Sequence, residues 1–200
     1  MKVIIATGNP GKLREFSRIL NPLGFEVCSQ SEAGFTGSVE ETGTTFAENA
    51  YLKADAIYQQ FHCPTIADDS GLEVTALDNR PGVYSARYSG EHATDEQNND
   101  KLLEELQGKS NREAQYVCCI CYLDQQGQAH YFTGTCKGEI GFERKGTEGF
   151  GYDPLFMIGD RSFGQYTAEE KDAISHRGKA LRAMAKYIQQ SEKENHYADK

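Results

Sequence analysis

The sequence lacks several features that would assign it to a protein class at once. No apolar run approaches the length needed to cross a membrane, and the N-terminus carries no signal-peptide pattern. Cations are scarce, because 21 Lys and Arg stand against 30 Asp and Glu for a net charge of −9. This balance argues against a protein that grips nucleic-acid phosphates, whereas a phosphorylated small molecule is compatible if a local basic cluster or a metal ion holds it. We therefore expect a soluble cytoplasmic protein with neither a nucleic-acid nor a membrane partner.

The six cysteines do not indicate a disulfide framework. Cys118, Cys119 and Cys121 lie inside an apolar stretch, and a chain of 200 residues is not a small stapled scaffold. We expect buried, reduced thiols.

The chain also lacks internal repeats, low-complexity blocks and an obvious linker. A length of 200 residues suits a single domain over residues 1–200, built as one body or as two closely fused lobes, with a frayed tail from about residue 191. Strands alternate with helices in the first half and a hairpin sits in the second, which favours an α/β fold with a mixed sheet. Periodicity predicts strands at 2–6, 25–27, 64–67, 71–76, 114–123 and 128–137. Periodicity and the capping boxes at 45–48 and 94–97 predict helices at 11–20, from 45 to about 61, from 94 through 106, and from 175 to about 190.

Two adjacent acids follow the apolar run that ends at Ala67. Asp68-Asp69-Ser70-Gly71 is interpreted as an acidic turn between two strands, at a sheet edge where α/β proteins bind ligands. Two neighbouring carboxylates repel each other, so keeping both ionised requires a bound cation or several hydrogen-bond donors. The alternative is ordinary turn chemistry without function.

The segment Thr7-Gly8-Asn9-Pro10-Gly11-Lys12 joins the first predicted strand to the first predicted helix. Its glycines let backbone amides approach a ligand, the helix N-terminus favours anions, and Lys12 adds a positive charge. The Walker spacing is absent, so the segment is either a phosphate-binding loop of another kind or a plain strand-to-helix turn.

Acids also precede the helix that starts near Thr45. Glu40 and Glu41 are either hard oxygen ligands for Mg²⁺ or residues that only stabilise the helix dipole. Lys53, on the same helix, is more simply a solvated lysine than a phosphate contact.

Two segments near the C-terminus complete the candidate set. Phe150-Gly151-Tyr152-Asp153-Pro154 is predicted to be a rigid aromatic turn, whose rings either stack on a base or belong to the core. Lys171 and the pair His176-Arg177 follow. Two basic residues just inside a helix start are disfavoured by the helix dipole, so this pair either serves a function or is a surface accident.

Taken together, these segments closely resemble the inosine triphosphate pyrophosphatase family, which hydrolyses dITP, ITP and XTP in cleansing the nucleotide pool. The matching blocks occur in family order over nearly the whole chain. They are Ala6–Lys12, Glu40–Ala50, Ile66–Leu72, Pro81–Tyr88, Gly149–Pro154 and Glu170–Arg177.

The resemblance implies an elongated, two-lobed α/β fold with a mixed sheet flanked by helices, a nucleotide cleft between the lobes, and a homodimer. It implies that Asp69 is the proton acceptor and that Glu40 and Asp69 ligate Mg²⁺. The implied substrate contacts are Thr7, Gly8, Asn9, Pro10, Gly11, Lys12, Ser70, Phe150, Gly151, Tyr152, Asp153, Lys171, His176 and Arg177, with Lys53 as a further phosphate contact.

The implied reaction is cleavage between the α- and β-phosphates, which gives a monophosphate and pyrophosphate. An aspartate of ordinary pKa near 4 is a feeble base at neutral pH, so we expect Asp69 to orient a water that the metal activates. Two other readings stay open. One is a pyrophosphatase for a modified pyrimidine nucleotide, and the other is a nucleotide-binding regulator without catalysis.

Overall fold

The computed structural model describes residues 1–198, with side chains described as far as Ser191. These residues form eight strands and five α-helices. In chain order they are β1 (Lys2–Ile5), α1 (Pro10–Leu20), β2 (Glu26–Ser29), α2 (Phe46–Phe61), β3 (Thr65–Val74), β4 (Arg80–Pro81), α3 (Asp95–Glu105), β5 (Glu113–Leu123), β6 (Ala129–Ile140), β7 (Phe156–Ile158), β8 (Arg161–Ser162), α4 (Ala168–Ile174) and α5 (His176–Ala198).

The strands form one mixed sheet in the order β2-β1-β3-β5-β6-β7-β8, with β4 beside β3. Strand β1 is parallel to β2 and β3, whereas β4 is antiparallel to β3 and β7 is antiparallel to both β6 and β8. The predicted α/β class with a mixed sheet is therefore confirmed.

The chain divides into two compact units, and each has its own core. The first unit contains residues 1–69, 119–133 and 178–200, and the second contains residues 70–118 and 134–177. Helix α2 buries Ala50, Ala54 and Ile57 in the core of the first unit. The core of the second unit is aromatic, with Tyr116, Phe156 and Phe163 packed against one another. Burial of this apolar surface is the main stabilising contribution in each unit.

The predicted capping boxes are present at both helices that they were expected to open. The Thr45 hydroxyl accepts a hydrogen bond from the Glu48 amide at 3.2 Å, and Thr94 accepts one from the Gln97 amide at the same distance. Helix α1 uses Asn9 as its N-cap and Pro10 as its first residue. These local signals place the loops before α1 and α2, which carry several candidate site residues.

The predicted acidic turn is wrong, because Asp68, Asp69, Ser70 and Gly71 lie inside the continuous strand β3. Successive side chains of a strand point to opposite faces of the sheet, so the two adjacent carboxylates do not face each other. Each finds its own partners on a different helix, described below. Partners supplied by the tertiary structure therefore override the turn preference of this segment.

The predictions for the C-terminal helices differ from the structure. Helix α5 continues to Ala198 rather than ending near Gln190. The frayed tail predicted from about residue 191 concerns side chains after Ser191 and residues 199–200, which lie outside the described part of the chain. Helix α4 was not predicted. None of the helices among residues 1–198 is both long enough and apolar enough to span a membrane.

All six cysteines are free thiols in the structure. Four are buried, whereas Cys63 is exposed and Cys28 is half-buried. Cys118 and Cys121 have the spacing of a Cys-x-x-Cys pair, but both lie in the extended strand β5. Positions three apart in a strand point to opposite faces and are too distant for a disulfide.

Candidate active site

Strand β3 presents Asp68 to helix α1. The Lys12 ammonium lies 3.0 Å from Asp68 Oδ2, and the Asp68 side chain is only 1% exposed. In the loop that precedes Lys12, Asn9 Oδ1 accepts a hydrogen bond from the Lys12 amide at 3.0 Å. Thr7 Oγ1 accepts one from the Asn9 amide at 3.1 Å. The loop from Thr7 to Lys12 is thus held in shape while Gly8, Asn9 and Pro10 stay exposed at a helix N-terminus, which suits an anionic ligand.

The next residue, Asp69, is buried and faces helix α2. Its Oδ2 accepts a hydrogen bond of 3.0 Å from Asn49 Nδ2, and its Oδ1 lies 3.9 Å from Lys53 Nζ. The same lysine is 3.2 Å from Glu41 Oε1. The expectation of a solvated Lys53 is therefore wrong, because a half-buried lysine between two carboxylates stabilises both negative charges.

Burial raises the pKa of Asp69 above its ordinary value. Lys53 and Lys12 favour the charged form and oppose this rise, the neighbouring Glu41 adds to it, and the Asn49 amide opposes it. The assumption of an ordinary pKa is thus wrong, since a carboxylate with a raised pKa accepts a proton more readily at neutral pH.

Glu40 and Glu41 lie on the loop before α2, and the structure distinguishes them. Glu41 makes the ion pair with Lys53, whereas Glu40 is exposed. No group of three or more His, Cys, Asp or Glu suited to a metal ion occurs among the described residues. Mg²⁺ needs less than that, because it retains several waters and uses one or two carboxylates. Asp69 with a carboxylate of this loop fits Mg²⁺ by the chemistry of its donors.

In the second unit, Asp153 and Lys171 form a buried ion pair. Lys171 Nζ lies 2.6 Å from Asp153 Oδ2, and the side chains are 5% and 3% exposed. Asp153 also accepts the Phe150 amide at 3.0 Å and the Tyr116 hydroxyl at 3.2 Å. This carboxylate therefore fixes the aromatic turn and the lysine to each other.

The aromatic turn separates into one available ring and one core ring. Tyr152 is 4% exposed and its hydroxyl donates to the Ser85 carbonyl at 2.7 Å, so its ring belongs to the core. Phe150 is only half-buried, with the Lys171 ammonium 4.8 Å from its ring centre. Two hydrogen bonds join the Gly151 backbone to helix α3. The Gly151 amide donates to the Asp95 carboxylate, and the Gly151 carbonyl accepts from the Asn99 side chain.

His176 and Arg177 begin helix α5, as predicted, and both are buried. Arg177 donates to Ser70 Oγ at 2.7 Å, and its guanidinium carbon lies 5.9 Å from the Phe150 ring centre. The His176 ring stacks on Tyr116, with ring centres 4.6 Å apart and an interplanar angle of 10°. Arg177 is thus a neighbour of both Ser70 and Phe150.

Asn49, which contacts Asp69 directly, was not predicted to belong to the site. It lies within the matching block that ends at Ala50, where no role was assigned to it. The available signal was its position, since asparagine is a poor helix former and stands at the fourth position of a helix already capped by Thr45. Reasoning also left Asp68 without a role, and the structure gives it the ion pair with Lys12.

Known proteins resemble this chain over almost its full length. A dITP/XTP pyrophosphatase of an Exiguobacterium species is 48% identical over 186 residues, which cover 92% of this chain and 95% of that protein. A dITP/XTP pyrophosphatase of Bacillus subtilis is 44% identical, covering 94% and 97%. The structure of the Staphylococcus aureus Ham1 protein is 41% identical with a TM-score of 0.85, covering 96% of this chain and all of that one.

The matching family model is that of the Ham1 family, and it covers residues 3–187. This extent includes every candidate site residue named above, so the family resemblance drawn from the motifs is confirmed. The chain belongs to the Ham1 family.

Proposed function

We propose that this chain hydrolyses non-canonical purine nucleoside triphosphates, namely dITP, ITP and XTP, to the monophosphate and pyrophosphate. The observation that carries the proposal is Asp69, a buried carboxylate of raised pKa beside two lysines, in a chain 48% identical to a dITP/XTP pyrophosphatase. Such a group suits proton abstraction near neutral pH, and its cationic neighbours suit a polyphosphate.

In the proposed reaction, a water oxygen attacks phosphorus at the α–β anhydride, and the bridging oxygen leaves with pyrophosphate. Asp69 accepts the proton that the water loses. Lys12, Lys53 and Lys171, together with the N-terminus of α1, offset the charge on the phosphates. Glu40 and Asp69 would hold Mg²⁺, which would supply further charge neutralisation and lower the pKa of a bound water.

Base selection is proposed to depend on His176, Arg177 and Phe150. Hypoxanthine and xanthine present an oxygen acceptor at position 6 and a donor at N1, whereas adenine presents the opposite pattern. Arg177 carries only donors, so it suits the oxygen at position 6 and not the amino group of adenine. A buried site built for one pattern leaves groups unpaired with the other, which costs rate. The half-buried Phe150 ring offers a stacking surface.

The proposal includes a homodimer that acts in the cytoplasm, which the resemblance to the family supports. Light scattering coupled to size-exclusion chromatography would measure the mass of the assembly. A mass of one 22.3 kDa chain would contradict the dimer.

A nucleotide panel tests the proposed activity. Pyrophosphate release should be fastest with dITP, ITP and XTP and much slower with ATP, GTP and modified pyrimidine triphosphates. The D69N variant serves as the blank for contaminating phosphatases. Release of pyrophosphate from a pyrimidine analogue at a higher kcat/KM than from ITP or XTP would overturn the purine assignment. Binding without any release in Mg²⁺ would overturn catalysis.

A further inference from the structure

Asn49 lies at a buried helical position, where asparagine is unfavourable unless its side chain has partners. It is the fourth residue of helix α2 and is 0% exposed. Asparagine lowers helix propensity, and a buried amide is unfavourable unless its donors and acceptor are used. The cap of this helix is already made by Thr45 and Glu48, so capping does not require Asn49.

The contacts of Asn49 join two parts of the proposed active site. Its Nδ2 donates to Asp69 Oδ2 at 3.0 Å, and its Oδ1 accepts the Gly43 amide at 2.8 Å. A backbone amide only donates and an ionised carboxylate only accepts, so these two partners fix which end of the side-chain amide faces which. Asn49 therefore connects the end of the 40–43 loop, which carries Glu40 and Glu41, with Asp69.

Gly43 shows how closely the loop approaches this amide. A Cβ built on Gly43 would lie 2.6 Å from Asn49 Oδ1 and 2.7 Å from Glu48 Cβ. Real Cβ atoms do not reach such distances without displacement of a neighbour. The loop is thus seated against Asn49 at a separation that only glycine permits.

We propose that Asn49 is a positioning residue. It fixes the position of the Asp69 carboxylate relative to the 40–43 loop, so that carboxylates from both can hold one divalent cation. This inference rests on the proposed function, in which Glu40 and Asp69 hold Mg²⁺. Groups that orient metal-binding carboxylates without touching the metal have a large effect, since their loss costs about 10–100-fold in metal affinity.

Two variants separate the two hydrogen bonds. N49A removes both of them. N49D keeps the size of the side chain and the acceptor for the Gly43 amide, but places a carboxylate oxygen where the donor to Asp69 was. The matched control is Q59A on the same helix, because Gln59 Nε2 also donates to a carboxylate, Asp55 Oδ1, at 3.0 Å, but at an exposed position.

The first measurement is Mn²⁺ binding to the nucleotide-free protein, followed by electron paramagnetic resonance of free Mn²⁺. The second is the Mg²⁺ concentration that gives half-maximal pyrophosphate release from ITP. We expect N49A and N49D to weaken Mn²⁺ binding at least about tenfold and to raise the half-maximal Mg²⁺ concentration by a similar factor. Q59A should change neither quantity.

Mn²⁺ binding by N49D that equals or exceeds that of the unchanged chain would overturn the proposal. So would an N49A variant that melts at a lower temperature but keeps its Mn²⁺ affinity, because that result assigns Asn49 to stability alone. The D69N variant distinguishes this inference from the proposed function. If D69N keeps both Mn²⁺ binding and activity, the proposed role of Asp69 as metal ligand and base fails. If D69N loses Mn²⁺ binding while N49A and N49D keep it, only the positioning role of Asn49 is refuted.

Discussion

Replacing Lys171 by methionine should destabilise the fold strongly, because it leaves the Asp153 carboxylate buried without its cation. The ion pair spans 2.6 Å, and its side chains are 5% and 3% exposed. Methionine preserves most of the aliphatic volume, so the change isolates the charge from the packing. The relevant cost is therefore that of a buried carboxylate that has lost its ion-pair partner.

Breaking a buried ion pair by removing one partner costs about 3–5 kcal/mol. Donors to Asp153 that K171M retains include the Phe150 amide and the Tyr116 hydroxyl, and these offset part of the loss. We therefore expect a decrease near the lower end, ~3 kcal/mol in the free energy of unfolding. For a chain of this length, that decrease lowers Tm by about 6–12 °C.

Urea unfolding followed by circular dichroism measures this change, together with the denaturant slope. The control is D100N, which removes an exposed ion pair between Asp100 and Arg144 and should cost less than ~1 kcal/mol. The double variant K171M/D153N removes both charges and should be more stable than K171M. A K171M decrease below ~1 kcal/mol, or a double variant less stable than K171M, would refute this account of the buried pair.

Four further predictions concern the active site. D69N should lower pyrophosphate release at least about 100-fold, the lower end of the range for a general base, and near-normal kcat would remove Asp69 from its role. Folding raises the pKa of Asp69, so ionisation of this group lowers the free energy of unfolding as pH rises above about 4. Urea unfolding at pH 7 should therefore show that D69N is at least as stable as the unchanged chain. A D69N variant that is markedly less stable would contradict the direction of this pKa shift. A chelator of divalent metals should stop turnover and added Mg²⁺ should restore it, while full activity in chelator would refute the Mg²⁺ proposal. H176A or R177A should reduce the ratio of kcat/KM for ITP to that for ATP, and an unchanged ratio would show that selection against adenine lies elsewhere.

The parts of the fold that the sequence predicted correctly depend on local signals. Helices α2 and α3 begin where a threonine is followed three residues later by a Glu or Gln that completes the capping box. Helix α4 carries the same signal at Thr167 and Glu170, but its seven residues are too short to show a clear apolar period. A search for the box alone would have found it.

The parts that failed depend on contacts between residues distant in the chain. Asp68-Asp69-Ser70-Gly71 has strong turn preference, and its extended conformation is explained by partners distant in the chain, such as Lys12 on α1 and Asn49 on α2. Lys53 looks like a solvated lysine in its own helix, and its proximity to Glu41 and Asp69 exists only in the folded chain. Patterns of residue types identify where chemistry is possible, whereas partners and pKa values follow from tertiary packing.

The division of labour along β3 follows from the period of a strand. Asp68, Asp69 and Ser70 are consecutive, yet they contact Lys12, Asn49 and Arg177 respectively. Pairing of Ile5 with Ile66 in the parallel ladder with β1 fixes the register of this strand. A shift by one residue would turn Asp69 towards the face of Asp68 and exchange their environments. The chemistry assigned to Asp69 is therefore set by strand register as much as by residue type, since an identical carboxylate one position earlier forms an ion pair with Lys12 instead.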